Sequence, residues 1–275
     1  MAAFLSRPTG RYELLAANDL ERLKRAMRKG DVLLVEGDQR VSAVIKYLTQ
    51  SSWSHAALYI GDELLRRGGE ERARAEEDFG EEAGHLLVEA LFEGVVISPL
   101  SKYVDYNLRL CRPHGLRAEH CKRILSEALA TVGWRYDLRN ILDLAAHLVL
   151  ATLFPGRYRA RASRLGSNAA GEVICTSLLG RLFYGVRFPV LPLVTFPEGA
   201  ERAQHAASPA PRRWPWRRRE PYRARFSNRH PTLLTPRDFD TSPYFDIVKF
   251  NAVDDSRFDY QRIVWEEDPG AEEPG

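Results

Sequence analysis

The sequence predicts a mixed domain of helices and short strands, the strands running as an antiparallel meander, and three features of the chain carry that expectation. Between residues 31 and 113, short runs rich in Leu, Val and Ile recur, each closed by Gly, Gly-Asp or Pro, which is how strands ended by turns read. Around and between them lie stretches whose apolar residues fall three and four apart, the spacing of a helix with one buried face. The chain has 275 residues, 44% hydrophobic and 28% charged, enough to bury a core without disulfide support.

The elements follow in order. Residues 12–28 (YELLAANDLERLKRAMR) have helical spacing and meet a stop at Gly30, so they are expected to form an opening helix. DVLLVEG reads as a strand closed by Gly37, and VSAVIKYLTQSS as an amphipathic helix. SHAALYIGD (54–62), HLLVEAL (85–91) and EGVVISPL (93–100) are the strands of the meander. Between the first two, the charged stretch at 63–84 is expected to be a solvated hairpin insertion with some helix in it. YNLRLCRP (106–113) adds a strand, and AEHCKRILSEALATVG (118–133) a helix stopped by Gly133. The apolar run at 141–154 carries Asp143 and His147 and is shorter than the roughly 20 residues a bilayer-spanning helix needs, so it reads as a buried or interfacial helix. A last long helix is expected to begin near Glu172 and run through VICTSLLGRLF, and YFDIVKF alternates like a strand.

Charge and cysteine content narrow the function classes. The net charge is only +3, from 40 Lys plus Arg against 37 Asp plus Glu, unlike a nucleic-acid binder whose whole surface is basic. The three cysteines, Cys111, Cys121 and Cys175, form no CxxC or Cys/His metal spacing and are too few for a disulfide framework. A reducing compartment follows as the expectation. The first residues lack an apolar run of signal-peptide length, so the expected location is the cytoplasm, with the membrane periphery as a second site.

One cysteine stands at the predicted start of a helix, where unpaired backbone N–H groups favour a thiolate. That is Cys175. A cysteine in an apolar helix is by default core filling, so a partner base is needed to make it a nucleophile. Among the seven histidines, His55 opens a buried strand and shares its face with Ala57 and Tyr59, which leaves room beside the ring. Glu89 lies inside the apolar run LLVEAL, where an unpaired carboxylate is costly, so it either orients the His55 imidazole or points to water from an edge strand.

Taken in order, GDVLLVEG, WSHAALYIGD, LLVEALFEGVVISPL, GWRYD and VICTSLLGRLF resemble the permuted NlpC/P60 superfamily, specifically its YiiX/YebB-like, poxvirus-G6-like cysteine hydrolases. The resemblance implies an α+β, circularly permuted papain-like fold, with the helix carrying the cysteine packed on an antiparallel sheet carrying the histidine. It implies Cys175 as nucleophile, His55 as base and Glu89 as the third polar residue, with His85 the fallback for that role and Tyr136 a substrate-pocket residue. These side chains are expected to converge although about 120 residues separate the cysteine from the histidine. The activity implied is that of a thiol-dependent amidase, esterase or acyltransferase, thiol proteases included, working through a thioester on an acyl, peptide or lipid substrate, with no metal or organic cofactor expected.

Residues 1–202 are assigned to the catalytic domain and 232–275 to a closing segment that frays at its end. Between them, 203–231 is dense in Pro and Arg and is expected to be a loop. Its Arg212, Arg213, Trp214, Trp216, Arg217, Arg218 and Arg219 suit an anionic membrane surface, the basis of an alternative reading as a catalytically silent lipid binder. Nucleic acid is disfavoured as a partner, because the basic charge is confined to this one segment.

Overall fold

The computed structural model describes residues 12–15, 17–91, 93–136, 172–173, 175–195 and 225–251. The apolar stretch at 141–154 and the seven Arg and Trp residues of the Pro/Arg-rich segment lie outside them.

The centre is a six-stranded antiparallel sheet of β1 (Val32–Val35), β2 (His55–Gly61), β3 (Leu86–Leu91), β4 (Gly94–Pro99), β5 (Leu108–Pro113) and, from the far end of the chain, β10 (Phe245–Val248), with α2 (Arg40–Thr49) between β1 and β2. Their order is β10-β5-β1-β2-β3-β4, and β8 (Leu193–Thr195) and β9 (Arg225–Ser227) pair separately. The meander of β2, β3 and β4 comes from consecutive antiparallel pairing, and β5 returns to lie beside β1. Every residue of β1 is buried, because helices or turns cover both faces of the sheet.

Alternation along the strands divides the core. Ala56, Leu58 and Ile60 face one side with Leu86, Val88 and Ala90; Ala57 and Tyr59 face the other with Leu87 and Leu33. The first side is covered by α5 (Ala118–Ala130) and by α6 (Cys175–Gly185). The second is covered by α1 (Leu20–Ala26), through Leu23, and by the 3-10 turn Leu100–Tyr103.

Three expectations about elements are corrected. The opening helix spans only Leu20–Ala26, because Asp19 accepts from the Arg22 N–H and fixes the N-terminus there. Just before it, the Asn18 amide donates to the carbonyls of Val104 and Tyr106, at 2.7 and 2.6 Å, which ties the preceding residues to a loop. The insertion at 63–84 is helical nearly throughout, as α3 (Glu63–Arg67), α4 (Gly69–Phe79) and a 3-10 turn; Leu64, Ala75 and Ala83 supply a buried stripe too sparse to stand out among the charges. The last long helix begins at Cys175 itself, while Glu172–Val173 (β7) forms a parallel two-residue pair with Arg135–Tyr136 (β6).

The helix bearing Cys175 is held from several directions. Phe183 on α6 meets Phe245 of β10 edge to face at 5.3 Å, and Phe239 of α7 (Pro236–Asp240) meets Phe245 at 5.4 Å. Such contacts add about 0.5–1.5 kcal/mol each to the burial of the rings. Thr176 Oγ1 donates to the Leu234 carbonyl at 2.6 Å, one residue from the cysteine. Gly180 lets the segment 231–234 approach, since a Cβ there would lie 2.5 Å from Leu234 Cδ1.

Candidate active site

His55 is the first residue of β2 and pairs with Val35, the last of β1, so it stands at one end of the sheet. Tyr59 pairs with Leu87 on one face, and counting by twos puts His55 and Glu89 on that same face. Their side chains meet: His55 Nε2 lies 2.7 Å from Glu89 Oε2. Cys175 belongs to the helix on the opposite face, and it shares the wall of one cavity with His55, which sits at the strand's end. With Nε2 taken by Glu89, Nδ1 is the ring nitrogen that remains.

Glu89 is 1% exposed, and an isolated carboxylate so deep would be costly. It is not isolated. Lys102 Nζ donates to Oε1 at 2.7 Å, and the Tyr103 hydroxyl donates to Oε2 beside the His55 nitrogen. Burial pushes the Glu89 carboxyl up, but the hydrogen bond and charge of His55, with the charge and hydrogen bond of Lys102, outweigh it and hold the group well below the usual carboxylate range. For His55, burial pulls the imidazolium down, yet the neighbouring Cys175 and Glu89 side chains push it up to about 10. Cys111 is fully buried and burial pushes it up to about 12, while burial also raises Cys121.

Residues 26–143 match the family model of the permuted papain-like amidase enzymes, YaeF/YiiX, C92. That stretch is similar to the permuted papain-like amidases. The matched stretch holds His55, Glu89, Lys102 and Tyr103 and ends before Cys175. Among solved structures, the chain is similar to one described as the metalloprotein yiiX from Escherichia coli O157:H7, at 12% identity and a TM-score of 0.45, covering 82% of this chain and 97% of that one. No curated protein matches the chain.

His55 and Cys175 lie in the wall of a cavity of about 360 Å³, together with Lys102 and Tyr103. Val35, Ile45, Ala90 and Leu91 add apolar surface to its lining, and Asp38 and Glu93 acidic groups. Gly37 lines it too. Its N–H donates to Ser54 Oγ at 2.9 Å, and a Cβ there would lie 2.4 Å from Ser42 Oγ and 2.9 Å from Ser54 Oγ.

The structure sets His55 against Glu89, with Cys175 in the cavity wall that His55 also lines. His85 Nδ1 lies 2.8 Å from the Tyr59 hydroxyl, on a neighbouring part of the sheet. Tyr136 contributes its backbone to the pair with Val173, two residues before the cysteine; its side chain is outside the described residues. Lys102 and Tyr103 were not singled out from sequence. Their signal was faint: in SPLSKYVDY a Pro ends a strand and the next turn carries Leu100 and Tyr103 inward, three residues apart. Among the described residues, no group of three or more His, Cys, Asp or Glu is placed to hold a metal ion, and no helix is long and apolar enough to cross a membrane.

Proposed function

We propose that this chain is a thiol-dependent hydrolase or acyltransferase acting on an amide or ester bond, with Cys175 as nucleophile, His55 as general base and acid, and Glu89 fixing the imidazole. The observation that carries the reading is the position of His55, bonded to Glu89 at 2.7 Å through Nε2 and lining the same cavity as Cys175. A nucleophile, a base and a group that orients the base are the minimum set for covalent acyl transfer.

In the proposed reaction the Cys175 proton rests on His55, and the sulfur attacks the substrate carbonyl carbon. The electron pair of the C=O bond moves to oxygen, where the Cys175 backbone N–H at the start of α6 donates to the oxyanion. Collapse expels the amine or alcohol, which takes its proton from His55 and leaves a thioester. Water, or another acceptor, then gives a proton to His55, attacks the thioester and restores the thiol. Glu89 keeps the ring in one orientation throughout and balances its positive charge.

The apolar residues Val35, Ile45, Ala90 and Leu91 in the cavity that Cys175 lines support an acyl group of hydrocarbon character, and a lipid or lipidated substrate is the form we propose. An anionic surface met by Arg212, Arg213, Trp214, Trp216, Arg217, Arg218 and Arg219 would bring such a substrate to the cavity.

Iodoacetamide labelling at neutral pH with peptide mapping tests the reading. Cys175 should label well before Cys111 and Cys121, and Cys175→Ala should abolish turnover across a panel of acyl lipids and acyl peptides. Faster labelling of either other cysteine would reject the nucleophile assignment and leave a silent lipid binder on the same fold.

A further inference from the structure

The proposed chemistry uses Glu89 only through Oε2, yet the second oxygen is also engaged. Lys102 Nζ sits 2.7 Å from Oε1, 3.4 Å from Ser98 Oγ and 5.1 Å above the Tyr103 ring, so its ammonium is held among protein acceptors. It comes from the 3-10 turn Leu100–Tyr103, a different element from those of the three candidate residues.

We propose that Lys102 is a positioning residue whose charge lets the Glu89 carboxylate and a Cys175 thiolate stand on either side of one imidazolium. The inference rests on the function proposed above. Its ground is a charge balance in a confined space. Glu89 and the thiolate are negative, His55 and Lys102 positive, and the four sum to zero at the end of the sheet. The other groups facing this cluster do not provide the missing charge. Tyr103 and Tyr106, from the turn and just after it, are neutral phenols raised by burial. Asp38, from the loop after β1, and Glu93, from the turn between β3 and β4, line the same cavity and are both acidic. Among the described lining residues, Lys102 is the only lysine or arginine.

Removing that charge leaves one net negative charge in surroundings of low dielectric, where a proton is taken up more readily. The proton returns to the cysteine–histidine pair, because Glu89 keeps its bonds to His55 and Tyr103. The thiolate would then persist only at higher pH. A side chain that merely fills space would leave that titration where it is, and a lysine that binds substrate would alter KM instead.

The test is the rate of Cys175 alkylation by iodoacetamide against pH, measured on the full chain by peptide mapping, for the unaltered protein, Lys102→Met, Lys102→Gln and Lys102→Arg. Circular dichroism melting of each variant shows which are folded, and two neutral replacements guard against the loss of one. The acid limb should rise by about one pH unit in the neutral variants, a fall of roughly tenfold in rate below the limb, and Arg should keep it close to the original. Limbs within about 0.2 unit of the unaltered protein in the folded neutral variants would overturn the proposal. A raised KM for an acyl substrate with an unmoved limb would do the same. Should Cys175 of the unaltered protein label no faster than Cys111 or Cys121, the proposed function fails and the role of Lys102 goes with it.

Discussion

Replacing Glu89 by Gln preserves the shape of the side chain and removes only its charge and half of its accepting capacity. The carboxylate receives three donors: His55 Nε2 and the Tyr103 hydroxyl on Oε2, and Lys102 Nζ on Oε1. An amide has one oxygen and one NH2 group, so whichever way it is turned its NH2 meets a donor. If the oxygen stays on the His55 side, the NH2 faces the Lys102 ammonium; if it turns, the NH2 faces a phenol and an imidazole. A buried donor left unpaired costs about 1–3 kcal/mol, and breaking a fully buried ion pair about 3–5. The Lys102 side chain is 36% exposed and water takes up part of the loss, so about 2–4 kcal/mol is expected. With a urea slope of about 2–3 kcal/mol per M, the midpoint should fall by about 1 M while the slope stays the same. Fluorescence-detected urea unfolding reads this directly, and Cys175 labelling on the same samples should slow in parallel. A midpoint unchanged within about 0.2 M would show that the three bonds contribute nothing net, and the account of Glu89 as the hub of the site would be wrong.

Three further outcomes are expected. His55 is raised from 6.5 to about 10 in the folded protein, so its stabilisation is complete below pH 6.5 and is lost as pH rises through about 10; Glu89 is lowered, so its contribution is present above about pH 4.5 and lost as pH falls further. Melting curves across this range should therefore show the unaltered protein losing its advantage over His55→Gln on the alkaline side, and a constant gap would contradict the raised histidine. Gly37→Ala should push the loop after β1 away from Ser42 and Ser54, with a cost of about 1–3 kcal/mol and slower Cys175 labelling; an unchanged labelling rate and melting point would show that the close approach has no bearing on the site. Deleting residues 203–224 should abolish flotation with anionic liposomes and leave the melting curve unchanged, whereas equal flotation of both forms would reject the membrane contact.

The sheet was readable in the sequence because its strands are short, apolar and ended by turn residues, and the observed strands fall within the segments so identified. His55 and Glu89 were readable for a different reason, since a polar residue inside or opening an apolar strand needs a partner. The opening helix was overdrawn because helical spacing at 12–18 takes no account of Asn18 and Asp19, whose side chains compete for the backbone. The insertion defeated pattern reading for the opposite reason: its charges are laid out as pairs four residues apart, such as Arg72 with Glu76, which support a helix without making it amphipathic. Lys102 and Tyr103 carry no pattern at all. A cation on a surface turn reads as solvated until the fold brings a buried carboxylate beneath it.

The arrangement also explains why the candidate residues can lie so far apart in sequence. His55 and Glu89 belong to the meander, and their contact is set by the pairing of two adjacent strands joined by one insertion. Cys175 belongs to a helix that packs on the other face, so no strand register can bring it to them. What sets its place is the packing of α6 against the closing segment, through Phe183 with Phe239 and Phe245, the bond from Thr176 to the Leu234 carbonyl, and Gly180 against the same stretch. The site is thus built from two structures with separate causes, a sheet end that orders the histidine and carboxylate and a helix anchored by the last part of the chain. Perturbing the anchor should displace the sulfur and leave the histidine–glutamate bond intact, because the anchoring contacts run between α6 and the closing segment while that bond joins β2 to β3.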